Sequence, residues 1–239
     1  ATMPTSLEEK LIKILQKDKT QFVELDDRTL DTFDRHIIHK VNSLEDVEPV
    51  IAEAVVIKRK ILFVCNQVKR AQALYQQLSE EYPDVNKMLI HSRFKRGKRS
   101  QLESDLKNKY NESSDACLVV STQVVEVSLD ISFDLMITEC APIDALIQRF
   151  GRINRKRTNE TIGKYKPIYV ISPTENKSDA MPYDLDILKS TYQALPNEGL
   201  MKERNAQQLI DSVYTDNRFV DIDLFSVFKD GQWQIKELW

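Results

Sequence analysis

The chain has 239 residues, 41% hydrophobic and 30% charged, with a formal net charge of −3. This balance fits a soluble globular protein holding one sizeable α/β domain with an extension, or two small domains, and it excludes disorder. It also excludes a globally basic nucleic-acid binder, so any such contact has to come from local patches.

In chain order, the opening "ATMPTSLEEK" has neither a basic n-region nor an apolar h-region, so no secretion signal is expected. No apolar run reaches the roughly 20 residues that span a bilayer, and we expect a cytoplasmic protein with no membrane partner. Ser6 with Glu9 forms a capping-box pattern, and Leu7, Leu11, Ile14 and Leu15 follow on one helical stripe. Apolar, β-branched runs then recur as expected strands: "HIIHKV" (36–41), "ILFVC" (61–65), "KMLIH" (87–91), "CLVVS" (117–121), "LMITE" (135–139) and "IYVIS" (168–172).

Helical patterns lie between the runs. Val68, Ala71, Tyr75 and Leu78 share one face, a second helix is expected at about 98–109, and a third at 142–150 with Pro142 in its first turn. Apolar strands alternating with helices imply a parallel sheet covered on both faces. Beyond the polar stretch "TENKSDAMP" (174–182) the pattern is helical again, with Leu185, Leu188, Tyr192 and Leu195 on one helix and Ala206, Leu209, Ile210 and Val213 on another. The alternation around Asp230-Gly231 reads as a hairpin.

Cys65, Cys117 and Cys140 are odd in number and far apart, which suits buried reduced thiols rather than disulfides or a zinc site. His36 and His39, three apart on a strand, face opposite sides and share no metal. No metal site is expected in this chain.

Four polar clusters fall where the carboxyl ends of the strands are expected, the place where open α/β sheets gather ligands. They are Asn66 and Gln67, "HSRF" (91–94), "STQVVEVSLD" (121–130), and the arginines of "QRFGRINR" (148–155). The last sets Arg149, Arg152 and Arg155 around Gly151, an arrangement suited to a phosphate. The five glycines, however, are too scattered to form a G-x-x-x-x-G-K-[ST] phosphate loop. The basic runs "RFKRGKR" (93–99) and "RINRKR" (152–157) could line a strand channel or be solvated loops.

The stretch 121–155 resembles motifs V and VI of a superfamily 2 helicase, and is most similar to the CRISPR-associated helicase–nucleases of type I systems. Their T-Q-x-x-E-x-S-L-D-x-x-F-D run is met by Thr122, Gln123, Glu126, Ser128, Leu129, Asp130, Phe133 and Asp134. Their A-P-x-x-x-x-x-Q-R-x-G-R-x-x-R run is met by Ala141, Pro142, Gln148, Arg149, Gly151, Arg152 and Arg155. "LIHSRF" (89–94) resembles motif IVa, 61–78 resembles motif IV, and "ATMP" resembles the end of motif III. One departure is Asn154, where many relatives carry His.

The resemblance implies a RecA-like second motor domain at 33–173, preceded by the end of motif III and a helical linker (1–32) and followed by a linker and partial extension (174–239). It implies Arg152 and Arg155 as catalytic fingers on the γ-phosphate of ATP, with the phosphate loop and Mg2+ on a first motor domain. It implies Gln148, Arg149 and Asp130 at the nucleotide, bridging the cleft, and Ser92, Arg93, Thr122 and Gln123 on a single DNA strand. The implied whole is an ATP-dependent 3′–5′ translocase with an HD nuclease domain, recruited by a CRISPR effector complex with its guide RNA. Two readings stand beside it: a helicase of another superfamily 2 branch, and a non-catalytic nucleic-acid or protein-binding module.

Overall fold

The computed structural model describes residues 3–15, 25–94, 96–106, 115–125, 132–155, 158–214, 226–229 and 232–235. All six expected strands form, as β1 (His36–Val41), β2 (Lys60–Val64), β3 (Asn86–Ile90), β4 (Cys117–Ser121), β5 (Leu135–Glu139) and β6 (Lys166–Ile171). They pair in parallel in the order β3-β4-β2-β5-β6-β1, with registers such as Leu62 against Val119 and Phe63 against Ile137. A three-residue strand, β7 (Gly199–Met201), adds antiparallel to the outer edge of β1.

The β-branched strands alternate their side chains between two apolar layers, as the period of 2 requires. Ile61, Phe63, Leu118, Val120, Leu135 and Ile137 face one layer, capped by α3 (Glu48–Val56) and α4 (Val68–Glu81). Leu62, Val64, Val119, Met136, Ile168 and Val170 face the other, where α6 (Ile143–Phe150) inserts Ile143, Leu146 and Phe150. The remaining helices are α1 (Thr5–Leu15), α2 (Asp27–Asp31), α5 (Arg96–Asp105), α7 (Lys177–Ala180), α8 (Leu185–Ala194) and α9 (Ala206–Val213). Cys65, Cys117 and Cys140 are buried free thiols, and burial raises the pKa of each.

Some details differ from the sequence expectation. Helix α1 begins at Thr5, so Ser6 lies inside the first turn and cannot cap it. The cap comes from another element: the Asp211 carboxylate accepts the Thr5 backbone N–H at 2.8 Å and the Thr5 hydroxyl at 2.7 Å. Pro142 is the N-cap of α6 rather than a first-turn residue. The chain beyond 173 does not leave the core, since Leu185, Leu188, Ile210 and Val213 pack in the same layer as α6 and β7 extends the sheet. The terminal hairpin forms, as β8 (Ser226–Lys229) and β9 (Gln232–Ile235) with Lys229 opposite Gln232.

Asp134 ties the amino ends of three strands together. Its carboxylate accepts the Lys60 backbone N–H at 3.1 Å and the Lys166 ammonium at 2.9 Å, with Arg59 at 3.5 Å. Burial works to raise its pKa, but the Lys166 and Lys60 hydrogen bonds outweigh this and hold it below the ordinary aspartate value. A depressed carboxylate contributes stability that is present above the unfolded value of about 3.9 and is lost as pH falls through the lower folded value. In urea unfolding, Asp134→Asn should therefore be less stable than wild type at neutral pH. The gap should close in strong acid, and a gap that persists there would remove the ionic account.

Candidate functional site

The carboxyl ends of β3 and β4 carry two buried polar residues side by side. His91 follows β3 and Thr122 follows β4, and the Thr122 backbone N–H donates to the Ile90 carbonyl at 3.3 Å. His91 Nδ1 and Thr122 Oγ1 are buried with no hydrogen-bond partner among the described residues. Buried polar groups are ordinarily paired, so two such atoms at adjacent strand ends mark a place where a polar ligand fits. His91 stacks flat on Phe94, with ring centroids 4.2 Å apart. Burial, with Arg93 alongside, lowers the histidine pKa, which favours the neutral ring. Ser92 and Arg93 are exposed beside it.

The neighbouring strand ends are locked together around Asn66, which is 6% exposed. Its backbone N–H donates to Glu139 Oε2 at 2.5 Å, its amide nitrogen to the Cys140 carbonyl at 2.8 Å, and its backbone carbonyl accepts Gln123 Nε2 at 2.8 Å. Its side-chain oxygen accepts the Arg149 guanidinium at 3.0 Å. Arg70 reaches the other Glu139 oxygen at 3.0 Å. Sequence reading placed Asn66 at a strand end but gave it no role, and it did not single out Glu139 or Arg70. The one available signal was a carboxylate closing the apolar run "LMIT".

Arg149 is the most enclosed of the expected site residues. It is 0% exposed, and its guanidinium also donates to Thr138 Oγ1 at 2.9 Å and the Glu139 carbonyl at 3.1 Å. Enclosed in this way, the guanidinium clamps α6 to the strand ends. Helical side chains lean toward the helix N-terminus, which carries this one back along α6 to the strand ends. Its neighbour Gln148 is exposed on the other side of the helix.

The arginine turn also lies on a different edge from the one expected. Helix α6 starts at the carboxyl end of β5 and runs back along the sheet for eight residues, about 12 Å. It delivers Gly151–Arg155 to the amino ends of the strands. There Phe133 N–H donates to the Arg152 carbonyl at 3.1 Å, Ile153 pairs with Phe133, and His36 Nε2 sits 3.0 Å from the Ile153 carbonyl. His39, on the opposite face of β1, stacks on Tyr169 and bonds Glu198.

Asn154 adopts φ +51, a conformation that asparagine tolerates well, and its amide donates to the Lys164 carbonyl at 2.8 Å. Its neighbour Arg155 is exposed, with its backbone N–H on Ser132 Oγ at 3.0 Å. The site therefore has two edges: His91, Ser92, Arg93, Thr122 and Gln123 at one end of the sheet, and Gln148, Arg152 and Arg155 at the other. Asp130 lies outside the described residues, as do the side chains of much of the basic run 93–99.

Residues 57–158 match the family model of the C-terminal part of CRISPR-associated nuclease/helicase Cas3. The CRISPR-associated nuclease/helicase Cas3 of Methanothermobacter thermautotrophicus is 34% identical over 182 residues, 76% of this chain and 20% of the relative. Residues 57–158 thus carry the C-terminal helicase segment of the Cas3 nuclease/helicases. Among solved Cas3 structures, that of T. fusca Cas3 superposes with a TM-score of 0.66 at 25% identity, covering 85% of this chain and 26% of that one. The structure of T. fusca Cas3-AMPPNP gives 0.67 at 25% identity, covering 87% and 26%. The fold is thus the RecA-like helicase fold of Cas3, and the chain spans about a fifth of the length of the curated relatives it matches. None of the described helices is long and apolar enough to cross a membrane.

Proposed function

We propose that this chain is the second motor lobe of an ATP-driven, 3′–5′ translocase on single-stranded DNA that works in type I CRISPR interference. The reading rests on the two-edged site. Arg152 and Arg155 sit on a turn fixed to the sheet at one edge, while Thr122 and His91 atoms unpaired among the described residues, with exposed Ser92 and Arg93, sit at the other. The likeness to a nucleotide-bound Cas3 structure supports a nucleotide at the first edge.

In this reading the phosphate loop and Mg2+ belong to a first motor lobe, and ATP supplies the phosphoryl group that water attacks. Arg152 and Arg155 then meet the negative charge that spreads over the transferring oxygens. Guanidinium groups held in a closed cleft stabilise that charge because they need no reorganisation at the moment of reaction. Gln148, exposed on the same helix, faces the cleft, and Asp130 contributes at the ribose. At the other edge Thr122, Gln123, Ser92 and Arg93 bind sugar and phosphate without reading bases, which suits a motor that must pass any sequence. The partners proposed for the whole protein are the first lobe, an HD nuclease domain, and the effector complex with its guide RNA.

The test is ATP hydrolysis by the full-length protein with and without single-stranded DNA, run beside this chain alone. DNA-stimulated turnover by the full protein and silence from the chain alone would support the split site. Turnover by the chain alone would mean that it carries its own phosphate site. DNA binding without any hydrolysis by the full protein would favour the binding-module reading.

A further inference from the structure

We propose that Asn66 and Arg149 are positioning residues that transmit strand binding at the carboxyl edge to the finger arginines at the amino edge. The inference rests on the two-edge function proposed above. Gln123 is half-buried at the strand edge, and its amide holds the Asn66 carbonyl at 2.8 Å. On its other side Asn66 holds Arg149 through its amide oxygen at 3.0 Å. Three residues on, the Arg149 carbonyl accepts the Arg152 N–H at 2.8 Å in the last turn of α6. These bonds form an unbroken path from a group proposed to touch DNA to a group proposed to touch ATP.

The path has little slack. Asn66 uses its backbone N–H, its carbonyl and both ends of its amide, so no part of it can move alone. Arg149 is held by Thr138, the Glu139 carbonyl and Tyr183 as well, which fixes the rotation of α6 about its axis. Beyond the helix, Gly151 is tight enough that a Cβ would lie 3.2 Å from the Gln148 carbonyl, and Arg152 and Asn154 bond Phe133 in turn. A displacement of Gln123 by a bound strand therefore reaches the finger turn through α6 as a rigid lever. An apolar core would fill the same space without tying the two edges together. Networks of fully satisfied polar groups move as a unit, the property that a link needs.

The experiment uses the full-length protein and compares wild type, Asn66→Ala and Asn66→Asp. The aspartate keeps an oxygen for Arg149, whose guanidinium offsets its charge, but sets an acceptor in place of the donor to Cys140. Four quantities are read: hydrolysis without DNA, hydrolysis with saturating DNA, the Kd for a fluorescent single strand, and the thermal midpoint. The expected result for Asn66→Ala is a fall of about tenfold in the ratio of stimulated to unstimulated turnover, within the usual range of coupling between sites. Strand affinity should stay within about threefold, and Asn66→Asp should recover much of the ratio. An unchanged ratio in Asn66→Ala overturns the proposal. A parallel loss of both rates and of thermal stability, without recovery in Asn66→Asp, also overturns it by making Asn66 merely structural. If wild type itself shows no DNA stimulation, the underlying function fails and the link fails with it.

Discussion

Arg152→Ala in the full-length protein is expected to lower ATP hydrolysis by about 10³–10⁵ while leaving single-stranded DNA binding within about threefold of wild type. The size of the loss follows from what an arginine finger does. Its charge meets negative charge that develops only in the transition state, so removing it costs rate rather than binding. Sparing of DNA binding follows from position, because the turn that carries Arg152 and the proposed strand contacts lie at opposite ends of five-residue strands, about 16 Å apart. Single-turnover hydrolysis and fluorescence anisotropy measure the two quantities separately. Equal hydrolysis by mutant and wild type would remove the finger assignment, and a matching loss of DNA affinity would place Arg152 on the strand instead.

Arg149→Met should act in the opposite way, on stability first. Removing the guanidinium strips hydrogen bonds from Asn66, Thr138 and the Glu139 carbonyl inside a closed interior. Each buried acceptor left without its donor typically costs about 1–3 kcal/mol. Urea unfolding of the chain would read this as a lowered midpoint. Arg149→Lys should be nearly as unstable despite keeping the charge, since an ammonium cannot reproduce the planar fork that meets four acceptors at once. A stable methionine variant that lost only nucleotide affinity would return Arg149 to the cleft.

The contrast between these two arginines shows what the sequence made legible. All six parallel strands could be read, because β-branched runs of five or six residues bounded by polar ones have few alternatives. Helix α3 was not assigned: "VIAEAVVI" is almost continuously apolar and shows no helical stripe. β7 has three residues and exists only because β1 has a free edge. The burial of Arg149 was in fact written in the spacing. It sits three residues after Leu146 and next to Phe150, on the stripe that α6 buries, whereas Gln148 falls outside that stripe.

The edge of the arginine turn was equally deducible, since a strand that runs one way and a helix that returns must bring the next loop to the opposite end of the sheet. Motif matching alone does not separate scaffold from site. Phe133 and Asp134 belong to the same pattern as Thr122, yet one is core and the other ties strands together.

Placing the two edges at opposite ends of the same strands fixes the spacing between them. A longer or shorter loop would not disturb it, because the separation is set by the length of β4 and β5 rather than by any connection. A single residue inserted within either strand would turn its side chains to the wrong face before it lengthened the span. The distance between the two edges is thus tied to a structural unit that tolerates almost no gradual change, while the connections around that unit are free to vary in length.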